Sequence, residues 1–162
     1  MHAMADAVPA AMSYEPVYFK RAEYAVVSRL ADLILPKTDT PGALDAHVPF
    51  RIDREVAASE ELKGKFETGL QLLQAEAKSA GASDFTALPE EKQVAILTAM
   101  SETADSPEGE FFHTVKGLTV DWYYRSEEGL VKELGFHGNT FRPDFPGCTH
   151  TEHWPSAVQE TK

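Results

Sequence analysis

Apolar residues recur at three- and four-residue spacing along most of this chain, and proline and glycine interrupt the recurrence at intervals. That spacing lines up one side of each segment for burial and predicts helices. The first covers residues 19–34, with Phe19, Ala22, Val26, Leu30 and Leu33 on one face and Val27 and Ile34 beside them. Pro36 ends it, because proline lacks an N–H and disfavours helix in the residue before it. Pro41 and Gly42 then turn the chain. A second helix is predicted over residues 48–57. Val48, Ile52 and Val56 form its stripe, Phe50 lies off the stripe, and Pro49 is confined to the first turn. Arg51, Asp53, Arg54 and Glu55 form its polar face.

The third helix is predicted over residues 59–79. Ser59 is its N-cap, and Glu60 and Glu61 suit the positive end of the helix dipole. Leu62, Phe66, Gly69, Leu70, Leu73 and Ala77 form the stripe. A glycine inside a helix costs about 1 kcal/mol against alanine. Its place on the apolar stripe implies close approach of another helix or a large ring. Gly81 stops this helix, and residues 84–88 connect it to a fourth. That one opens at Pro89, with Val94, Leu97 and Met100 facing inward. After a polar linker, Ser106 caps a fifth helix and Pro107 takes its first position. Phe111, Val115, Leu118 and Trp122 make one face, and Phe112, Thr119 and Tyr123 the adjacent one. A helix this aromatic is either central or meets something outside the fold. Residues 127–134 predict a last short helix ended by Gly135.

From Phe136 onward, Gly138, Pro143, Pro146, Gly147 and Pro155 forbid regular helix, while Phe136, Phe141, Phe145 and Trp154 punctuate the stretch. Disordered tails usually lack aromatics, so this arm is expected to pack against a surface, its own or a partner's. No period-two strand pattern competes. The expected fold is all-α, a bundle of five or six helices with a long extended C-terminal arm. Residues 1–17 read as a flexible leader or signal remnant, 18–135 as the helical domain and 136–162 as the extended arm.

Composition narrows the function classes. The 162 residues suit one domain with a proper core, and 43% hydrophobic content is ordinary for a globular chain. No apolar run reaches the roughly 18–20 residues that span a bilayer, so no direct membrane insertion is expected. The formal charge of −11 argues against nucleic acid and anionic lipid, and suits solubility or a partner with a basic patch. The small-residue-rich residues 1–12 resemble the tail of a removed export signal, or an expression scar fused to a trimmed chain. Cys148 is the single cysteine, so no internal disulfide forms and a cysteine-based zinc site is not expected. It is either bonded to another chain or an inert buried thiol.

Chemistry is sparse. The chain has no phosphate loop, dinucleotide fingerprint, serine elbow or paired CxxC. No catalytic, cofactor-binding or metal residues are assigned. Cys148, His150, Glu152 and His153 are ligand types close in sequence, but a terminal arm is a poor frame for a metal. His113 reads as a surface or interface residue, and His47 and His137 sit at helix or loop edges. Glu108 and Glu110 are explained by the helix dipole. Asp121 beside Trp122, Tyr123, Tyr124 and Arg125 is more suggestive. Such residues are enriched at protein–protein hot spots and also occur in small cores, and the interface reading is preferred. The candidate interface is therefore Trp122, Tyr123, Tyr124, Phe141, Phe145, Cys148 and Trp154.

These segments, in this order, resemble the gluconate 2-dehydrogenase subunit 3 family. The resemblance starts with residues 22–35 followed by Pro36-Lys37-Thr38-Asp39-Thr40-Pro41-Gly42-Ala43, and continues through Val48-Pro49-Phe50-Arg51-Ile52-Asp53-Arg54. It takes in Phe66-Glu67-Thr68-Gly69-Leu70, Phe85 and Leu88, and Trp122-Tyr123-Tyr124 leading to Glu128-Gly129. Glu133-Leu134-Gly135-Phe136 and Phe145-Pro146-Gly147-Cys148 close it. No single piece is specific, but their order is. The family loop is marked by Pro36, Pro41, Gly42 and Ala43. The resemblance implies a non-catalytic small subunit of a periplasmic dehydrogenase, with no cofactor of its own. The implied partner is a large FAD-dependent subunit of the glucose–methanol–choline type, acting on sugars, sugar acids or glycosides. Electrons would pass on to a c-type cytochrome. Such subunits carry a twin-arginine export signal that is not seen in this chain, and a divergent member would instead stay in the cytoplasm. The bottom-up alternative is a self-sufficient helical module that binds a small ligand or a metal.

Overall fold

The computed structural model of the chain describes residues 14–138. Among them are five α-helices, a 3-10 turn and a terminal π-helix, and no strand. The helices are α1 (Arg21–Ile34), α2 (Val48–Ala58), α3 (Glu60–Ser79), α4 (Glu90–Ser101) and α5 (Pro107–Tyr124). The 3-10 turn is Phe85–Ala87, and the π-helix is Glu128–Glu133. The all-α bundle expected from periodicity is what forms. The extended arm, with Phe141, Phe145, Cys148 and Trp154, lies outside the described residues.

The starts and stops follow local chemistry. Ser59 Oγ accepts from Leu62 N at 3.3 Å, and Ser106 Oγ accepts from Gly109 N at 3.1 Å. Glu23 reaches back to the Lys20 N–H at the head of α1. At the end of α3, Gly81 takes φ +87. Its N–H donates to Lys78 O and that of Ala82 to Ala77 O, the paired closure that a left-handed glycine permits.

α5 is central. It packs against α1, α2, α3, α4 and the π-helix, the central place that was one expectation for so aromatic a helix. Phe111 lies on Gly69 of α3 so closely that a Cβ there would sit 2.0 Å from the ring. The close approach inferred from a glycine on an apolar stripe is thus observed, and the ring is Phe111. Rings continue the core outward: Phe66 meets Phe111 edge-on at 5.6 Å, and Phe19 meets Phe66 at 5.3 Å.

Three expectations are corrected. The buried face of α1 is Val27, Leu30 and Ala31, while Ala22 is exposed and Phe19 packs from just before the helix. The stripe is rotated by one residue because Val26 and Leu33 flank the core instead of centring on it. On α4, Val94 is 46% exposed and Gln93 takes the inward position with Leu97 and Met100. A glutamine suits that position because the Phe85 carbonyl needs a donor. Gln93 Nε2 gives it one at 2.9 Å, and Gln93 Oε1 accepts from Arg29 Nε at 2.8 Å.

The third correction is the largest. Asp53, placed on the polar face of α2, is fully buried. Its Oδ2 accepts from Tyr14 Oη at 2.5 Å and from Val17 N at 2.6 Å. Its Oδ1 accepts from Tyr18 N at 3.1 Å and Phe19 N at 3.0 Å. A buried carboxylate is tolerable when its lone pairs are filled in this way. The stretch from Tyr14 to Val17, read above as the end of the leader, is thereby strapped to α2. The Tyr14 ring packs on Phe50 and Tyr24. Its hydroxyl pKa is pushed up by burial and then by the Asp53 carboxylate it serves.

Candidate functional site

The two families of residues singled out in the sequence, the loop after α1 and the aromatic end of α5, meet in space. The loop is closed by its own backbone. Ala43 N donates to Leu35 O at 2.8 Å, and Val48 N to Ala43 O at 3.0 Å. Gly42 is required by crowding, since a Cβ there would lie 2.5 Å from Lys37 N. Its N–H donates to Asp45 Oδ2 at 2.9 Å, and Lys37 Nζ reaches Asp45 Oδ1 at 3.1 Å. The Gly42 N–H first, and Lys37 after it, hold the Asp45 carboxyl below the usual range. Ala43 is buried. His47, at φ 52, turns the chain into α2.

Tyr123 locks this loop to the rest of the fold. Its hydroxyl lies 2.6 Å from Pro41 O and 2.5 Å from Glu133 Oε2, while Tyr124 Oη donates to Glu133 Oε1 at 2.9 Å. The distant loop, the end of α5 and the π-helix are joined at one phenol. Burial, followed by the neighbouring Glu133, pushes the Tyr123 hydroxyl up to about 12. The π-helix presses close from the other side. A Cβ on Gly129 would be 2.4 Å from Tyr123 O, and the Gly129 N–H is held by Ser126 Oγ at 3.1 Å. An open groove of about 370 Å³ runs between loop and π-helix, lined by residues that include Lys37, Thr40, Pro41, Asp45, Glu128 and Lys132.

The three aromatics at the end of α5 therefore have different fates. Tyr123 is 1% exposed and its hydroxyl is engaged inside the fold, by Pro41 O and Glu133. Trp122 and Tyr124 remain half-buried on either side of it. Trp122 Nε1 donates to Glu55 Oε2 at 2.5 Å, and the guanidinium groups of Arg51 and Arg125 lie 5.7 Å and 5.5 Å from the indole centroid. Phe141, Phe145, Cys148 and Trp154 belong to the arm outside the described residues.

Sequence reasoning missed Glu133 as the shared acceptor. It also passed over Val131 and Leu134, which are exposed, Leu134 by 60%, together with Phe136, the first of the aromatics counted above in the arm. Their signal was present, since Leu130, Val131, Leu134 and Phe136 follow closely on Gly129. His113 is exposed, as its place off the main stripe implied. Among the described residues no three His, Cys, Asp or Glu side chains gather as a metal-ligand set, and no helix is long and apolar enough to cross a membrane.

Neither a curated protein nor a solved structure matches the chain. A family model does, over residues 21–147, a span that begins with α1 and takes in the loop, the end of α5 and the π-helix. By that match the chain belongs to the gluconate 2-dehydrogenase subunit 3 family.

Proposed function

We propose that this chain is the non-catalytic small subunit of an FAD-dependent dehydrogenase acting on a sugar, sugar acid or glycoside, and that it binds and stabilises the catalytic subunit and helps export it to the periplasm. The observation that carries the reading is the family match across residues 21–147. The surface agrees with it. Trp122 and Tyr124 stand half-buried on either side of Tyr123, and Val131, Leu134 and Phe136 are exposed on the segment that packs against α5. Apolar side chains gathered in one terminal segment suit a partner contact. The FAD would belong to the large subunit, and a c-type cytochrome would accept its electrons. Cys148 is a candidate for a disulfide to the partner.

Co-expression with an FAD-dependent large subunit encoded beside it, followed by size exclusion with the flavin spectrum recorded, tests the reading. The expected result is one yellow, sugar-oxidising species containing both chains. A colourless, folded monomer that leaves the flavoprotein to elute alone would sink it. Non-reducing electrophoresis of the complex reads the Cys148 bond directly: separate chains with a free thiol reject it.

A further inference from the structure

Arg51 is half-buried, yet among the described residues its side chain makes no ion pair and no hydrogen bond. Its guanidinium is instead laid against rings, 5.4 Å from the Phe50 centroid and 5.7 Å from that of Trp122. The carboxylate one turn along α2, on Glu55, is used by the Trp122 indole N–H. Arg125 approaches the same indole from the end of α5. Among the described residues its guanidinium has a single long carboxylate contact, 3.6 Å to Asp121, both side chains being mostly exposed, and such a pair holds it weakly. The lysines and arginines elsewhere on the described surface mostly have close carboxylates. Arg21 has Glu15, Arg29 has Asp32 and Glu90, and Lys65 has Glu61 and Glu110. A guanidinium over a ring still carries N–H donors that the ring does not fill, and its fork can receive a carboxylate with two parallel bonds.

We propose that Arg51 and Arg125, held against Trp122, form the seat for an acidic segment of the flavoprotein subunit. The inference rests on the small-subunit reading above and names the chemistry of one contact within it. Charge complementarity selects the occupant. Glu55 is engaged by the indole N–H and Asp121 holds Arg125 only at 3.6 Å, so what this face offers a partner is guanidinium donors without close acceptors, the chemistry that a carboxylate completes. Two copies of the chain repel each other, so a second copy is the weaker occupant. Trp122 supplies the desolvated floor and the arginines the specificity, a composition typical of binding hot spots.

The test uses the full chain with the flavoprotein subunit, comparing wild type with R51Q/R125Q and R51E/R125E at low and at physiological ionic strength. Helicity and melting of each free variant are recorded first. The glutamine pair keeps the stems and serves if the glutamate pair does not fold. The proposal expects wild-type binding to weaken with salt, and R51Q/R125Q to bind about tenfold or more weakly at low salt with a flatter salt dependence. Unchanged affinity and an unchanged salt dependence in both folded variants would overturn it while leaving the subunit reading intact. Wild-type self-association that the same substitutions abolish would overturn it in favour of a second copy. Failure of the wild-type chain to bind any flavoprotein would remove the small-subunit reading itself, and the seat with it.

Discussion

Asp53 holds one tyrosine hydroxyl and Glu133 two, and the two carboxylates do so in unlike settings. Asp53 lies in the body of α2, fully buried, with three backbone N–H groups and the Tyr14 hydroxyl filling its oxygens. Glu133 sits at the end of the π-helix, half-buried, and receives only side-chain hydroxyls, from Tyr123 and Tyr124. Backbone donors cannot rotate away, so the Asp53 junction is a fixed strap between the chain before α1 and the core. Side-chain donors can turn to water or to a partner, so the Glu133 junction joins its three segments with less commitment. The difference locates rigidity on the Asp53 side and adjustability near the exposed residues of the terminal segment.

The strongest way to break that contrast is Asp53→Ala. It would orphan the N–H groups of Val17, Tyr18 and Phe19 and the Tyr14 hydroxyl at once. Each buried donor left without a partner costs about 1–3 kcal/mol. The strap can peel into water and recover some of this, so a loss of about 3 kcal/mol is expected in urea melts. Amide exchange at Val17–Phe19 should become fast in the variant. A change within error, with those amides still protected, would show that the strap is held by the packing of Phe19 and Tyr14 and not by the carboxylate.

The contrast also explains which parts were legible in the sequence. Gly69 could be read because a glycine on an apolar stripe has few explanations, and close approach of a ring is one of them. Asp53 could not, because a carboxylate between Ile52 and Arg54 reads as a solvated position. The donors that bury it come from residues 14–19, where no periodicity announces structure. Gln93 was passed over for Val94 by the same logic, since polarity outweighed register. The fate of Tyr123 was within reach. Successive helix residues point about 100° apart, so Trp122, Tyr123 and Tyr124 cannot share one face, and one of them had to turn inward. That the family loop would be what receives Tyr123 was not accessible, because the two lie 82 positions apart and no periodicity links them.

Within the rigid part, Gly69→Ala sharpens the comparison at intermediate size. The new methyl would overlap the Phe111 ring, and α5 cannot retreat while it packs against α1, α2 and α4. Overpacking of this kind costs about 1–3 kcal/mol, partly offset by the better helix propensity of alanine. A thermal melt lowered by several degrees is expected. An unchanged melt would mean that Phe111 has room to rotate, and that the centre of the bundle is looser than the contact implies.

The smallest effect belongs to the adjustable junction, and it has a pH signature. Tyr123→Phe leaves the ring in place and removes one hydroxyl, costing about 1 kcal/mol at neutral pH. In the wild type the unfolded Tyr123 loses its proton near its ordinary value of 10, whereas the folded one holds it up to about 12. Between those values the unfolded state binds fewer protons, so stability falls as pH rises. The contribution is complete below pH 10 and gone above about 12. Phenylalanine has no proton to lose, so the variant's stability should fall less steeply across that window and the gap between the two proteins should narrow. It will still fall, because Tyr14, Tyr18, Tyr24 and Tyr124 are raised as well. Urea melts in steps across this range measure both slopes. Parallel curves would mean that the Tyr123 hydroxyl opens to solvent before it ionises, placing the loop-to-α5 contact among the parts of the molecule that move.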